Sequence, residues 1–491
     1  MWEVSEMSSE KNVSSNSNVS SNNNVSGNNN VSNEMGESSG MGKSFGKFAI
    51  LWAGDFYATI ASGLTAFALA IYVFELTGTA TSVALTTLFA FLPSILLNPI
   101  AGVLADRFDR RFLMIIGDGC SALGLVYILF CIMSGNVSEW QIYLGVGFNS
   151  IFIALLEPSF KATITDLLTK DQFAKASGLV QIAGSSKFLL SPFIAGFLLT
   201  VTDIRAILII DITTVFITVP ITILIKKWLG HGKAAGSAVG IEQQAEGQPQ
   251  LQPQSQAQSQ PQVPKQSFFA DFVEGWRAVS TNKGLLWMIL LISLVTFYIG
   301  FLQTLFTPMM LSITDAKTLG IVESVSAVGM LASSILIGTI TITRKYVKQL
   351  VVGLALSGAF VALLGATANV YIITICGFLF FAALPFVNTS ADVLTRANIP
   401  DEKQGRAWGL IGVLSQFGYI IAYAISGLLA DNVFNPLLEE GGALAPTVGR
   451  LIGIGNGRGI GLLLIVSGVL LVISAFLIGK IRSIRALESE L

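Results

Sequence analysis

Twelve apolar stretches follow one another along this 491-residue chain from Phe48 onward, separated by short polar breaks. About 20 apolar residues are enough for a helix to cross the hydrocarbon core of a bilayer. Backbone groups cannot stay unpaired in lipid, so each stretch is expected to be helical. The predicted spans are residues 48–74, 82–105, 113–134, 140–165, 174–200, 205–226, 285–310, 316–341, 347–367, 370–394, 405–430 and 458–480. The sequence therefore predicts an all-α membrane protein with twelve transmembrane helices.

The composition excludes several other classes of protein. Only 12% of the residues are charged, against about 25% in a soluble chain. The 29 basic residues do not exceed the 30 acidic ones, so the chain lacks the basic surplus that nucleic-acid binding requires. The only histidine, His231, lies in a polar segment, and the three cysteines lie inside apolar stretches. We expect no nucleic-acid partner, metal site or cofactor.

The polar residues divide the chain into two groups of six spans. The first segment is an Asn/Ser-rich tail that cannot bury a core, and the middle segment holds a Gln/Pro run from Glu242 to Gln266. That run is expected to be an unfolded tether. The part from Phe268 to Lys283 has a short apolar stripe that favours an interfacial helix. The predicted segments are a tail (1–47), an N-terminal six-helix bundle (48–228), a linker (229–283), a C-terminal six-helix bundle (284–480) and a second tail (481–491).

Lysine and arginine are distributed unevenly between the two sets of loops. Twenty-four of the 29 fall on the side that carries both termini and the linker, and the opposite loops hold only Arg205, Lys317, Arg450 and Arg458. Cytoplasmic loops are enriched in these residues. Both termini are therefore predicted to be cytosolic.

Short matches between the halves indicate a duplication. Aligning Ala176–Leu179 with Ala407–Leu410 brings Gly196 onto Gly427. Internal repeats of this kind are typical of transporters whose binding site lies between the halves.

The junction of spans two and three carries the most specific motif. Residues 102–111 read Gly-Val-Leu-Ala-Asp-Arg-Phe-Asp-Arg-Arg, which resembles the loop 2–3 signature of the major facilitator superfamily, G-x-x-x-D-R-x-G-R-R. The matching positions are Gly102, Asp106, Arg107, Arg110 and Arg111, and Asp109 replaces a glycine. Gly102 would allow close helix packing, and Asp106 at a helix C-terminus needs a partner. The resemblance implies a latch that closes the cytosolic face against span eleven near Gly405 and Arg406. The alternative is an ordinary basic cytosolic loop.

Span five and several shorter segments narrow the resemblance to the drug-exporter branch that includes macrolide efflux proteins. The shorter segments are residues 76–80, 271–275, 453–464 and 481–488. Proton-coupled drug exporters often show G-x8-G-x3-G-P-x-x-G-G in span five, of which only Gly178, Pro192 and Gly196 fit here. The Ser191–Pro192 pair is similar to the macrolide-efflux branch. These four residues are the candidate hinge, and a proline-kinked packing helix is the alternative.

Ionisable side chains inside the spans are the candidate coupling groups. Each costs about 2.5–3.5 kcal/mol near the bilayer centre, so it needs a partner or a water-filled cavity. The main cases are Asp55, Glu157, Lys187 and Glu323. The resemblance implies that spans one and four line a central cavity, which Asp55 and Glu157 could share with Lys187 as a nearby charge. The alternative is that these groups pair only to satisfy burial.

The second half offers a mostly aromatic and uncharged lining, which includes Tyr423. The candidates for substrate contact are Tyr298, Phe301, Gln303, Asn388, Gln416 and Tyr419, although aromatic stripes are more often helix packing. Such walls suit bulky amphipathic cations or neutral molecules.

These observations together favour a secondary transporter of the major facilitator fold in a bacterial plasma membrane. We expect a monomer that exports amphipathic drugs or natural products in exchange for protons. No Walker sequence is present, which argues against ATP as the energy source. A lipid or siderophore exporter or flippase is the second interpretation. A polytopic membrane enzyme would need clustered ligands at one membrane face, and the sequence shows none.

Overall fold

The computed structural model describes residues 30–229, 276–277, 280, 283–339, 345–399 and 404–488, which consist of helices and short connections and form no strand. Twelve helices are long and apolar enough to span a membrane, so the predicted spans are confirmed. They are α1 Asn30–Thr77, α2 Ala80–Arg107, α3 Arg110–Met133, α4 Glu139–Leu167, α5 Phe173–Leu189 continued by Ser191–Val201, α6 Ile204–Leu229, α7 Lys283–Leu311, α8 Ala316–Thr339, α9 Tyr346–Gly365, α10 Val370–Ala397, α11 Gln404–Leu429 and α12 Arg458–Lys480. The Gln/Pro run, most of the Asn/Ser tail and most of the predicted interfacial helix lie outside the described residues.

Polar side chains in the short connections set where several helices begin. Thr79 caps α2 by accepting a hydrogen bond from the backbone N–H of Ser82. The Asn369 side chain accepts from two backbone N–H groups in the first turn of α10, and Ser138 forms a capping box with Gln141 at α4. These caps satisfy backbone donors that have no partner within the helix.

Helix α11 is longer than its predicted span of residues 405–430. After Leu429 it continues through a π-helical turn, Ala430–Phe434, and a last turn, Asn435–Leu438. The polar pair Asp431–Asn432 suggested an end at this point. However, the Asn432 side chain bonds back to the carbonyl of Leu428, and Asp431 finds its partners on α2.

Glycines allow close packing of one helix pair in the second half. Gly358 and Gly365 of α9 face Gly468 and Gly461 of α12, and a Cβ at any of these positions would meet the backbone of the other helix. Helices in lipid associate through such close packing because no hydrophobic driving force acts between them.

The two halves, α1–α6 and α7–α12, meet at one end of the molecule. This end carries the α1–α2 connection and every second connection after it, and we call it the predicted outer end. The start of α2 packs on the end of α11, and the second segment of α5 packs on α8 through Gly196 and Gly320. The opposite, predicted cytosolic end carries the α2–α3 loop.

At the predicted cytosolic end, the buried clusters each form within one half. One joins Phe48 and Leu51 to residues of α3–α6. Another joins Leu285 and Ile289 of α7 to Leu410 of α11. The central space between the halves therefore opens toward this end.

Candidate functional site

The central face of α11 shows how that space opens. Gly412, Gln416, Tyr419 and Tyr423 share one stripe of the helix, on the side away from the exposed residue Phe417. Gly412 is exposed, Gln416 and Tyr419 are half-buried, and Tyr423 is fully buried. Accessibility along the stripe thus falls from the predicted cytosolic end toward the outer end.

An aromatic cluster closes the central space at its deepest point, on the side toward the predicted outer end. The ring of Phe91 on α2 meets Tyr419 and Tyr423 edge-on, with centroids 5.6 and 5.3 Å apart. The Tyr423 hydroxyl donates a hydrogen bond to the side-chain oxygen of Gln303 at 2.5 Å. The structure therefore brings Gln303, Tyr419 and Tyr423 together, three uncharged residues that the sequence already offered as lining, and it adds Phe91 to them.

The other predicted lining residues are placed differently. Phe301 is buried in the hydrophobic core, where it does not line the space. Tyr298 packs edge-on against Phe297, and Asn388 is exposed on α10. The buried side-chain oxygen of Gln416 has no hydrogen-bond partner among the described residues. Of these, Gln416 has an unused acceptor on the central face.

Glu323 lies on the central side of α8. The side chains of Ile321, Val325 and Val328 are exposed on the outside of this helix, and Glu323 is about 200° around the helix from Ile321. It sits between Gly320, which packs on α5, and Ser326, which abuts α10. The half-buried carboxylate makes no hydrogen bond or ion pair with the described residues.

Glu157 lies on a stripe of α4 that is buried in one part of the helix and exposed further along. Ser150 and Ala154 of this stripe are buried, and the Ser150 hydroxyl donates to the carbonyl of Ala90 on α2. One and two turns further, Glu157 and Lys161 are exposed and form an ion pair at 2.6 Å. Glu157 thus borders the open space but already has a partner.

The structure does not bring Asp55, Glu157 and Lys187 together, contrary to our expectation. Asp55 shares the face of α1 that carries the buried residues Phe48 and Leu51, so it points into the first half, and its charged neighbour is Asp118 of α3. Both residues are partly buried, and α1 and α3 each pack on α6.

Lys187 has a different acidic neighbour, Asp211 of α6. Gly63 of α1 faces the aliphatic part of Lys187 and the Ser191 side chain. The sequence alone did not predict this pairing.

Helix α5 is interrupted at Leu190, next to the predicted hinge. The Ser191 hydroxyl donates to the carbonyl of Ile60 on α1 at 2.9 Å. Gly196 lies against the backbone of α8, where a Cβ would be 2.8 Å from the carbonyl oxygen of Ala316, while the space beside Gly178 is open. Three of the four hinge residues therefore lie at or just beyond the interruption.

The loop 2–3 motif forms an ion-pair network within the first half. Arg110 and Arg111 both bind Asp166 at the end of α4, at 2.7 and 3.0 Å. Asp109 caps α3 through the backbone N–H of Arg111 and pairs with Lys226 of α6 at 3.2 Å. Partial burial raises the pKa of Asp109, but these contacts outweigh it and hold that pKa below its ordinary value.

Gly102 and Arg107 of the motif make no such contacts with the described residues. The space beside Gly102 is open, so the close packing expected there is absent. Arg107 is exposed. The side chains of Asp106, Gly405 and Arg406 lie outside the described part of the chain, so the latch between them stays a prediction.

Comparison with known proteins gives a consistent assignment. Residues 51–344 match the sequence model of the Major Facilitator Superfamily. The chain is 25% identical over 399 residues to macrolide efflux protein A of Streptococcus pyogenes, covering 79% of this chain and 90% of that protein. It is 24% identical over 338 residues to macrolide efflux protein A of Enterococcus faecalis, covering 66% and 94%.

Solved structures share the fold at low identity. A bacterial homologue of the human lysosomal transporter Spinster, in an inward-facing and unoccupied conformation, is 14% identical with a TM-score of 0.66, covering 91% of this chain and 98% of that one. The nucleoside transporter NupG is also 14% identical, with a TM-score of 0.64 and coverage of 89% and 100%. These two structures support the twelve-helix fold and nothing finer.

Proposed function

Because the chain belongs to the Major Facilitator Superfamily, and is therefore a multi-pass membrane transporter, we propose that it exports amphipathic drugs or natural products by proton antiport. Transport would proceed by alternating opening of the central space to the two sides of the membrane. A single observation carries the substrate class: the central face of α11 and its neighbours combine aromatic rings with uncharged polar groups.

The physical chemistry of this lining favours bulky molecules with a positive or neutral polar part. Tyr419, Tyr423 and Phe91 offer large apolar surfaces with few polar groups, as is typical of small-molecule sites. A cation can bind the face of such a ring or approach a carboxylate. Sugars and phosphates would find too few hydrogen-bond donors here. The relatives named for macrolide efflux support the same class of substrate.

We propose Glu323 as the first candidate for the proton-binding group and Glu157 as the second. Glu323 has no partner among the described residues. Its carboxylate would therefore be free to bind either a proton or a cationic substrate in the cavity. Glu157 is already neutralised in part by Lys161. Asp55 and Lys187, in contrast, have their charged neighbours inside the first half.

Drug accumulation in inverted vesicles, with and without an uncoupler, tests the transport function. We expect macrolides or other amphipathic cations to accumulate only while a proton gradient is present. Uptake of labelled lipid or siderophore with no drug uptake would instead favour the second interpretation. Accumulation that is unchanged by the uncoupler would overturn the proposal of proton antiport.

Matched substitutions test the coupling group. Glu323→Gln should abolish accumulation but spare downhill drug movement, because the site is kept and only its titration is lost. Glu157→Gln changes the same chemical group at an exposed ion pair and should retain accumulation. If Glu323→Gln still accumulates drug and Glu157→Gln does not, the coupling site is Glu157.

A further inference from the structure

An acidic residue of the second half completes the first turn of a helix in the first half. Asp431, in the π-helical turn that follows α11, accepts hydrogen bonds from the backbone N–H groups of Ala80 and Thr81 at 3.1 and 2.7 Å. The Thr81 hydroxyl donates to the same carboxylate at 2.6 Å. All three donors belong to the start of α2.

The start of α2 needs this outside partner. Its own cap, Thr79, takes only the N–H of Ser82, and the N–H groups of Ala80 and Thr81 have no acceptor within the helix. A negative charge at a helix N-terminus is also favoured by the helix dipole. Hydrogen bonds to an ionised group are stronger than those between neutral groups.

The backbones approach closely at the same place. A Cβ at Gly427, one turn before Asp431, would lie 2.7 Å from the nitrogen of Thr81 and 2.8 Å from the carbonyl oxygen of Ala80. Only glycine fits this approach. The Asn435 side chain also contacts the Asp431 carboxylate, at 3.4 Å.

The same short pattern occurs in both helices of this pair, at the end of α2 and where α11 passes into its π-helical turn. Residues 427–431 read Gly-Leu-Leu-Ala-Asp, and residues 102–106, at the end of α2, read Gly-Val-Leu-Ala-Asp. The two helices run in opposite directions, so the first pattern lies at the predicted outer end and the second at the predicted cytosolic end. The outer glycine touches its partner helix, whereas the space beside Gly102 is open.

We infer that Gly427 and Asp431 form the latch of the outer gate, as the counterpart of the loop 2–3 motif at the other end. Gly427 lets α11 approach α2, and the Asp431 carboxylate then closes the gate by capping α2 across the two halves. In this structure the outer latch is engaged. Opening to the outside requires the three hydrogen bonds to break. This inference rests on the alternating opening proposed above.

Two reporter cysteines measure the gate without any transport assay. In a variant with Cys120, Cys131 and Cys376 replaced, Ala84→Cys reports on the outer gate, since Ala84 is 1% exposed and lies on the α2 stripe of Phe91. Gly412→Cys reports on the cytosolic opening, because it is exposed and a Cβ there meets no other atom. Labelling rates with a membrane-impermeant maleimide are measured in purified protein.

Loss of the latch should change the labelling rates of the two reporter cysteines in opposite directions. Asp431→Ala should raise labelling at position 84 about tenfold and lower it at position 412, the tenfold factor corresponding to ~1.4 kcal/mol. Asp431→Asn, which keeps one acceptor, should have a smaller effect. The control Glu440→Gln removes a charge from an exposed residue nearby and should change neither rate. Unchanged rates in Asp431→Ala, or faster labelling at both positions as in partial unfolding, would overturn the inference.

A reversible cross-link provides the complementary test. A disulfide between Thr81→Cys and Asp431→Cys should keep position 84 unlabelled while position 412 stays reactive, and reduction should reverse this. Rapid labelling at position 84 in the cross-linked protein would show that the gate lies elsewhere. These results do not depend on the substrate, so a failed drug assay would leave them intact.

Discussion

Gly320 gives the most direct test of how the two halves close at the predicted outer end. It packs on the second segment of α5, where an ideal Cβ would lie 3.0 Å from the carbonyl carbon of Pro192 and closer still to its oxygen. Carbon atoms in contact keep a separation of about 3.5 Å. Gly320→Ala therefore requires α5 and α8 to move apart by roughly 0.5 Å or more.

Backbone atoms cannot rotate away as a side chain would, so the clash destabilises the state in which the outer gate is closed. Overpacking of this kind costs about 1–3 kcal/mol. The two halves separate at this contact when the outer gate opens, and the open state should escape the clash. The equilibrium should thus shift toward the outward-open state by about 5- to 150-fold.

Spin labels at the outer ends of α5 and α8 in detergent micelles would measure the shift. Gly320→Ala should populate a longer distance, and Gly184→Ala is the matched control, because a Cβ at Gly184 meets no other atom. The control also corrects for the gain in helix propensity from glycine to alanine, about 1 kcal/mol. Identical distance distributions in the two variants would refute the reasoning.

Three further predictions concern other parts of the chain. Asp109→Ala should lower the free energy of unfolding by about 1 kcal/mol through loss of the α3 cap, whereas Asp109→Asn keeps a cap and loses only the pair with Lys226. Because the pKa of Asp109 is lowered in the folded protein, its ionic contribution is complete above the unfolded pKa and disappears as the pH falls through the folded one; thermal melts of wild type and Asp109→Asn should therefore converge in acid. Single cysteines at Ser138 and Gln260 should be labelled from outside and inside respectively, and the reverse would contradict the proposed orientation. Deletion of residues 242–262 should leave transport largely intact, since Leu251 is the only large apolar side chain in this Gln/Pro-rich run, and lost transport would show a specific role.

The spans could be predicted from the sequence because hydropathy and length decide whether a helix can cross lipid. The loop 2–3 motif was also visible as a pattern. The end of α11 was predicted too early because Asp431 has the appearance of a polar terminus, and only the tertiary fold shows that α2 satisfies its charge.

Helix facing is the part that the sequence could not supply. Asp55 and Glu323 are both isolated acids in apolar stretches, yet one points into its own half and the other into the central space. The difference depends on which neighbours surround each helix. The sequence does contain one signal for Asp431, the repeat of Gly-x-Leu-Ala-Asp in two helices. This repeat could be interpreted only after the structure showed that α2 and α11 pack together.

The pairing of α2 with α11 leads to a last prediction about two acids at opposite ends of one helix pair. If Asp106 closes the cytosolic face, as the family resemblance implies, Asp106→Asn should favour the state open to the cytosol. Asp431→Asn should favour the state open to the outside, because it weakens the engaged contact with Ala80 and Thr81.

Changing Asp to Asn at both ends should therefore return the equilibrium between the two open states partly to its wild-type position. We expect each single variant to slow drug export and the double variant Asp106→Asn/Asp431→Asn to export faster than either one. Reporter labelling at positions 84 and 412 should return toward the wild-type ratio in the same protein. Two unrelated structural defects would instead add, since distant and independent sites contribute additively. A double variant slower than both single variants would mean that the two acids do not act on one equilibrium.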